Sequence, residues 1–313
     1  MPLTFLDSLL GRPRRGSWAY HAYSIWLFTF SDIKTIVGPK TIFGILNALA
    51  LPSEEEQWTV KMVQILIRLP VVAFWVWINL LPFAIDNQRQ PAAILEDNLN
   101  KPWRTMPSGR MTEFQARCLM FGLYPVAFAA SLYLGGVRQS VGLMVLGYAY
   151  NDVGLADWSW VSRNAVNALG FCCFASGALE VALNCPLSAE RHGQMVEWLG
   201  LVSLVVFSTV QTQDMADQSG DSLRGRKSLP LTVGDGTARW LTAVPMGFWS
   251  VACPLYWGVG SSGPNLLVRV LGFGVACSTL VFRSVEADKR TFRVWNLWMA
   301  SLYALPLLAA VGM

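Results

Sequence analysis

Long apolar stretches, separated by short charged segments, follow one another along the whole chain. Most of them reach the length of about 20 mostly apolar residues that a bilayer-spanning helix needs. We place nine predicted spans, near residues 18–51, 58–85, 113–135, 141–154, 166–183, 195–213, 239–259, 265–282 and 294–311. The pattern therefore predicts an all-α integral membrane protein with nine transmembrane helices.

The first predicted span is too long for one straight helix. Asp32, Lys34 and the Gly-Pro-Lys sequence at 38–40 interrupt its apolar pattern. Irregular backbone at membrane depth is tolerated where it lines a cavity or is buried in protein. We therefore expect a broken helix beside a polar cavity.

Composition agrees with a membrane protein and argues against a soluble one. Of the 313 residues, 53% are hydrophobic and only 14% are charged, whereas soluble proteins average about a quarter charged residues. The formal net charge is +4, and no concentrated basic stripe lies outside the loops between spans. We therefore expect lipid as the surrounding partner and no nucleic acid; the oligomeric state is left open.

The positions of lysine and arginine predict the orientation in the membrane. With nine spans, the loops after even-numbered spans lie on the side of the N-terminus. That side collects most loop lysines and arginines, whereas the opposite side carries the acidic run at 54–56. Because cytosolic loops are enriched in Lys and Arg, we expect residues 1–17 to be a cytosolic tail. No signal-peptide cleavage site follows it, which favours the endoplasmic reticulum, and 1–313 should form a single domain.

Two acidic stretches, in the predicted loops 86–112 and 214–236, carry the candidate chemistry. In each, carboxylates come first and basic residues follow. Spacings of three and four residues place side chains on one face of a helix. This spacing occurs in two sets, Asp97 with Asn100 and Arg104, and Asp214 with Asp217 and Asp221.

Like charges on one face are unfavourable unless a cation neutralises them. Carboxylate oxygens next to arginine and lysine suit Mg²⁺ together with a phosphate-bearing substrate. The two stretches therefore indicate a Mg²⁺–diphosphate site inside a membrane protein.

Both stretches resemble the aspartate-rich signatures of the UbiA superfamily of intramembrane prenyltransferases. The resemblance rests on Asn-Lys-Pro-x-Arg-x-x-Pro-x-Gly-Arg at 100–110 and Gly-Asp-x-x-x-Gly-Arg-Lys-x-Leu-Pro at 220–230. It extends over the nine-helix layout. It implies a helical bundle with a central cavity open to the cytosolic side, Mg²⁺ bound by both motifs, and an isoprenoid diphosphate substrate.

The first motif departs from the family pattern. Where the family has an Asn-Asp pair and then another Asp, this chain has Arg89, Gln90 and Ala93; Glu96, Asn87 or Asn100 is expected to compensate. The Asn-Gln pair at 87–88, before a Glu-Asp-x-x-Asn-Lys-Pro-x-Arg block, resembles the fungal branch that cyclises its substrate. That resemblance implies a class I terpene cyclase that ionises farnesyl diphosphate with Mg²⁺ and forms a bergamotene-like sesquiterpene.

The resemblance also assigns roles to individual residues. The expected catalytic residues are Asp97, Asp217 and Asp221. The expected Mg²⁺ ligands are Glu96, Asp97, Asp214, Asp217 and Asp221. The expected diphosphate-binding residues are Arg104, Arg226, Lys227, Asn100, Arg163, Asn151 and Lys34. Aromatic faces can stabilise the carbocation by roughly 0.5–2 kcal/mol each; the candidates are Tyr148, Tyr150, Phe171, Phe174, Trp249 and Trp298.

Two other hypotheses fit the same residues. A prenyltransferase would move the prenyl chain from its diphosphate to an aromatic or other acceptor, and an apolar acceptor pocket would leave no mark in the sequence. A transporter would show discontinuous helices in matched halves with polar residues at mid-depth. That pattern is weak here, because the acids cluster at the ends of the spans.

Overall fold

All regular structure in the described part of the chain is helical. The computed structural model describes residues 16–52, 57–259 and 263–312, and these ranges contain no β-strand. Residues 1–15 of the predicted tail and the acidic run at 54–56 lie outside the described residues.

The α-helices are numbered in chain order. The first seven are α1 (Trp18–Thr29), α2 (Gly38–Ala50), α3 (Trp58–Ile67), α4 (Leu69–Arg89), α5 (Pro91–Asn100), α6 (Glu113–Leu134) and α7 (Val137–Asn151). The others are α8 (Leu155–Trp158), α9 (Trp160–Leu183), α10 (Ala189–Thr209), α11 (Asp214–Arg224), α12 (Leu229–Val233), α13 (Asp235–Tyr256), α14 (Pro264–Val281), α15 (Val285–Leu302) and α16 (Leu305–Ala310).

Helices lie at each of the predicted spans, within the residues that the structure describes. Four helical stretches are long and apolar enough to cross a membrane: Trp58–Arg89 (α3 and α4), Glu113–Leu134 (α6), Trp160–Leu183 (α9) and Ala189–Arg224 (α10 and α11). The stretch Asn265–Val281 is apolar but shorter. Nine crossings therefore stay a prediction.

The predicted break in the first span is confirmed. Between α1 and α2, Phe30–Asp32 forms a 3₁₀ turn and Ile33–Val37 forms a π-helical turn. Pi-helical turns change the register of the side chains and occur frequently at functional sites. Here they turn Asp32, Thr35 and Ile36 toward an internal cavity.

Two predictions about the acidic stretches need correction. Both stretches were placed in loops, but each forms a short helix, α5 and α11, and the two helices pack against each other. Arg104 was predicted on the same helical face as Asp97, but α5 ends at Asn100. The physical reason is Pro102, because a proline disfavours helical backbone in the residue before it.

Helix α9 forms the centre of the bundle and packs against α2, α4, α7 and α10. Glycines allow the closest approaches. A Cβ atom added to Gly177 of α9 would lie 2.0 Å from Cη2 of the fully buried Trp75. A Cβ on Gly44 of α2 would lie 2.7 Å from the Ala178 carbonyl oxygen. Small residues at such crossings are typical of membrane helices, where close packing replaces the hydrophobic effect.

We predict that Gly177→Ala destabilises the bundle by about 1–3 kcal/mol, the usual cost of overpacking a filled core. The matched control is Gly200→Ala on α10, where an added Cβ meets nothing within 4 Å. The measurement is thermal unfolding of the detergent-purified proteins. Equal melting temperatures for the two variants would contradict the packing assigned to Gly177.

Candidate active site

A cavity of about 1000 Å³, including the space at its opening, lies inside the bundle. Its lining separates into two parts by chemistry. The polar end is lined by Asp32, Asn87, Glu96, Lys101, Arg104, Arg163, Gln213, Asp217 and Arg226. The apolar end is lined by Ile36, Leu80, Phe83, Leu143, Leu146, Val166, Gly170, Phe171 and Phe174.

The first motif places an arginine against its aspartate. Helix α5 begins at Pro91, and after its end the chain turns back through Arg104. Nη1 of Arg104 donates to both carboxylate oxygens of Asp97 at 3.0 and 2.9 Å. Nε and Nη2 of Arg104 donate to Ser31 Oγ at 3.3 and 3.1 Å. Both oxygens of Asp97 are thus engaged with Arg104, and the motif is anchored to the broken first span.

The second motif has the arrangement that its spacing predicts. Helix α11 carries Asp214, Asp217 and Asp221, and it ends at Gly225 in the left-handed conformation, with φ of 76°. Arg163, in the first turn of α9, donates to Asp214 Oδ1 at 2.8 Å. Both partners of this ion pair are buried.

Arg226 joins the two motifs. Its Nη1 donates to Asp221 Oδ1 at 2.9 Å and to Glu96 Oε1 at 3.1 Å. Arg224 donates to the other oxygen of Glu96 at 3.2 Å. Asp157, on the short helix α8, accepts from Arg226 at 3.0 Å and from Arg224 at 3.2 Å. Asp157 was missed by the sequence analysis, because it is far from both motifs in sequence and no spacing connects it to them.

The charges of the polar end stabilise one another. Burial by itself raises the pKa of the Glu96 carboxyl, but Arg226, Lys101 and Arg224 outweigh burial and hold this pKa below its usual value. Burial by itself lowers the pKa of Lys101, but Asp217 opposes it and the pKa is raised. Both groups are therefore charged at neutral pH.

Several buried oxygen atoms of this region accept no hydrogen bond from the described residues. They are Oδ2 of Asp214, Oδ2 of Asp221, Oδ1 of Asn87 and Oδ1 of Asn151. Buried polar atoms are satisfied in the large majority of cases. The polar end therefore holds acceptor oxygens that could receive a cation.

The predicted site residues fall into two groups. Lining the cavity are Glu96, Asp217, Arg104, Arg163 and Arg226. Not among the lining residues are Asp97, Asp214 and Asp221, which pair with the arginines, and Asn100, Asn151, Lys34 and Lys227. Lys34 and Lys227 are exposed, whereas Asn151 is buried and donates to the Gly147 carbonyl.

Of the predicted aromatic residues, Tyr150, Phe171 and Phe174 line the cavity, and Phe83 joins them unpredicted. The other three were placed wrongly. Tyr148 is exposed, and Trp249 donates to Ser208 Oγ at 2.9 Å on another side of the bundle. Trp298 is fully buried against α14, close to Gly272.

These features define a helical membrane protein with a charged, internal ligand site at the junction of two acidic helices. Residues 83–305 match the UbiA prenyltransferase family. The chain belongs to this family and is an integral membrane protein with the all-helical UbiA fold.

Relatives include two synthases and a transferase. The chain is 28% identical over 235 residues to the fumagillin β-trans-bergamotene synthase of Aspergillus fumigatus, covering 75% of this chain and 74% of that protein. It is 25% identical over 298 residues to the somaliensene A/B synthase of Streptomyces somaliensis, covering 90% and 92%. It is 25% identical over 218 residues to a polyprenyl transferase of Hericium erinaceus, covering 68% and 69%.

Solved structures share the fold at low sequence identity. A digeranylgeranylglyceryl phosphate synthase superimposes with a TM-score of 0.61 at 17% identity, covering 94% of this chain and all of that one. A UbiA homologue from Archaeoglobus fulgidus bound to GPP and Mg²⁺ gives a TM-score of 0.55 at 12% identity, covering 90% and 99%. At these identities the likeness establishes the fold alone.

The crossing of the two motif helices generates a prediction. A Cβ on Gly220 of α11 would lie 2.3 Å from Nδ2 of Asn100 on α5, so Gly220→Ala should push the helices apart. We expect a lower melting temperature than wild type, and no such loss when Gly220→Ala is introduced into Asn100→Ala, which lacks the clashing amide.

This double-mutant cycle isolates the contact, because the two single variants share only this interaction. It is measured by thermal unfolding in detergent, independently of activity. Equal losses in the two backgrounds would contradict the close crossing.

Proposed function

We propose that this protein is a membrane-bound class I terpene cyclase that ionises farnesyl diphosphate with Mg²⁺ and cyclises the released cation to a sesquiterpene. The observation that carries the proposal is the division of one cavity into an ionic end and an apolar, aromatic end. This division matches a substrate with a charged head and a hydrocarbon chain. The names of the two synthases among the relatives give further support.

The arginines at the polar end would bind the diphosphate. Arg104, Arg163 and Arg226 line the cavity, and each is engaged with a buried carboxylate. Guanidinium groups bind phosphate oxygens bidentately. The diphosphate oxygens can therefore replace the carboxylates as acceptors of these hydrogen bonds. We propose supporting roles around them for Asn100, Asn151, Lys34 and Lys227.

The residues present fit a divalent cation in their chemistry. Oδ2 of Asp214 and Oδ2 of Asp221 accept no hydrogen bond, and Asp217 contacts Lys101 only at 3.4 Å. Among the described residues, no group of three or more Asp, Glu, His or Cys side chains is arranged to hold a metal ion. In this arrangement the basic residues occupy the carboxylates. We propose Glu96, Asp97, Asp214, Asp217 and Asp221 as ligands once the arginines turn to the diphosphate. When bound, Mg²⁺ supplies Lewis-acid stabilisation of the leaving diphosphate.

The apolar end would control the carbocation. Tyr150, Phe171 and Phe174 present aromatic faces to the cavity, and such faces stabilise cations. Aliphatic walls exclude water, which would otherwise quench the cation before ring closure. Asp97, Asp217 and Asp221 are the acids on which we propose that ionisation depends.

A prenyltransferase is the second candidate, and the polyprenyl transferase among the relatives favours it. The same polar end would release the same cation, and an acceptor would share the cavity. The two functions differ in whether product forms without an acceptor. A transporter is disfavoured, because the chain belongs to a family of prenyltransferases.

We also propose how the protein sits in its membrane. The helices would cross nine times, with the polar end of the cavity facing the cytosol. The concentration of loop Lys and Arg residues on that side of the membrane supports this orientation. The endoplasmic reticulum is the proposed location. The chain would act as one domain.

The test of function is the product formed by membranes that contain the protein. Given farnesyl diphosphate and Mg²⁺ without an acceptor, they should yield a cyclic sesquiterpene in an organic overlay, detected by gas chromatography–mass spectrometry. EDTA should abolish it. Product that appears only after an aromatic acceptor is added would instead establish a prenyltransferase.

Asp217→Asn is the matched negative control for this experiment. Asp217 lines the cavity and makes only a long contact with Lys101, so its loss perturbs the fold least among the motif acids. The variant should accumulate in membranes at the wild-type level and lose at least 100-fold in turnover. Wild-type turnover would remove Asp217 from the site.

Gly170 predicts which chain length the cavity accepts. It lines the apolar end on α9, and a Cβ added there meets nothing within 4 Å. It lies roughly 10 Å along the helix axis from Arg163, at 1.5 Å per residue. A Cβ therefore fits at this position without a clash, and we propose that a larger side chain there takes up space in the cavity.

We expect Gly170→Leu to lower kcat/KM for farnesyl diphosphate at least tenfold relative to geranyl diphosphate. A difference of this size is in the range that one unfavourable apolar contact produces. Gly200→Leu, on the exposed side of α10, is the control. An unchanged ratio in Gly170→Leu would contradict the placement of the hydrocarbon chain along α9.

A further inference from the structure

Asp32 lies at the cavity but belongs to neither acidic motif. It ends the 3₁₀ turn of the broken first span and lines the same polar end as Lys101, Arg104 and Asp217. The break in the helix gives it this position, because the π-helical turn that follows redirects the side chains of the segment.

Asp32 differs from the motif acids in its contacts, because the cations Arg104 and Lys101 act on its charge without forming a hydrogen bond or salt bridge with it. Each motif acid accepts from an arginine or lysine, as Asp97 does from Arg104 and Asp217 from Lys101. Asp32 forms no hydrogen bond or ion pair with any residue in the described ranges. It does not cap the helical turn that follows it. A structural role as a cap or a salt-bridge partner therefore does not account for it.

Both acids of the first motif are paired with arginines, whereas Asp32 on the same cavity is not. Both oxygens of Asp97 are taken by Arg104, and both oxygens of Glu96 are taken by Arg226 and Arg224. The family's other acidic positions hold Arg89, Gln90 and Ala93. A second observation points to a cation here: Oδ1 of Asn87, which lines the same cavity, is buried and accepts no hydrogen bond.

We propose that Asp32 is a direct carboxylate ligand of the divalent cation at the polar end of the cavity, in place of the acids that the first motif lacks. The proposal rests on the proposed function, since it assigns a ligand to the metal on which that function depends. A carboxylate on this side would complement α11, whose Asp217 lines the cavity from the second motif. Hard oxygen ligands of this kind are those that Mg²⁺ prefers.

The test measures metal binding directly, with Mn²⁺ as the paramagnetic probe and inorganic pyrophosphate present. Free Mn²⁺ is counted by electron paramagnetic resonance over purified protein in lipid nanodiscs and compared with empty nanodiscs at the same pyrophosphate concentration, because pyrophosphate itself binds Mn²⁺. Asp32→Asn should weaken Mn²⁺ binding at least tenfold. The control, Asp152→Asn, removes an acid that pairs with Arg89 and does not line the cavity, and it should bind as wild type does. Mn²⁺ binding by Asp32→Asn within twofold of this control would overturn the proposal.

A third variant separates direct ligation from a general effect of charge. Asp32→Cys, like Asp32→Asn, removes the carboxylate and is neutral as a free thiol, but the thiol loses its proton when it binds a metal, and the thiolate selects soft metals. Its preference for Cd²⁺ over Mn²⁺ should exceed that of Asp32→Asn at least tenfold, measured by displacement of Mn²⁺. Equal preferences in the two variants would overturn direct ligation.

The wild-type measurement separates this proposal from the function on which it rests. If wild type binds Mn²⁺ and Asp32→Asn binds it equally well, only the assignment of Asp32 fails. If wild type binds no Mn²⁺ with pyrophosphate present, the metal-dependent function fails and the Asp32 ligand fails with it.

Discussion

The neutralisation of buried carboxylates by arginines is the interaction on which the rest of the site depends. Arg163 pairs with Asp214, Arg104 with Asp97, and Arg226 with both Asp221 and Glu96. Removing one partner of a buried pair leaves an uncompensated charge at a cost of about 3–5 kcal/mol. These pairs therefore hold α5, α9 and α11 in one arrangement, and they tie the two acidic stretches, far apart in sequence, to one cavity. The same arginines are the donors that a diphosphate would need, so stability and ligand binding use the same groups.

The second constraint is the division of the cavity. Polar groups come from the ends of helices and from the broken first span, whereas the continuous parts of α4, α7 and α9 supply the apolar wall. Close packing around glycines, such as Gly177 against Trp75, brings these helices together beside the space. An ionic end thus lies next to an apolar compartment, which is the combination that an ionising reaction on a hydrocarbon chain requires.

Much of this arrangement could be predicted from the sequence, and the failures have physical causes. Asp32 and Lys34 within an apolar run predicted the broken helix, and the spacing of Asp214, Asp217 and Asp221 predicted their common face. The sequence predicts a loop at the short helix α5, because its ten residues carry little hydrophobic pattern. Trp249 and Trp298 were misplaced because, in a membrane protein, interior and lipid-facing positions are both apolar. The contacts of Asp157 join residues far apart in the chain, so no local pattern indicates them.

The release of inorganic pyrophosphate tests the central claim, metal-dependent ionisation without an acceptor, most directly. Purified protein in lipid nanodiscs would be given farnesyl diphosphate alone, and pyrophosphate would be counted against the substrate consumed. We expect one pyrophosphate per substrate with Mg²⁺ present and none with EDTA. Release that persists in EDTA, or that begins only when an acceptor is added, would contradict it.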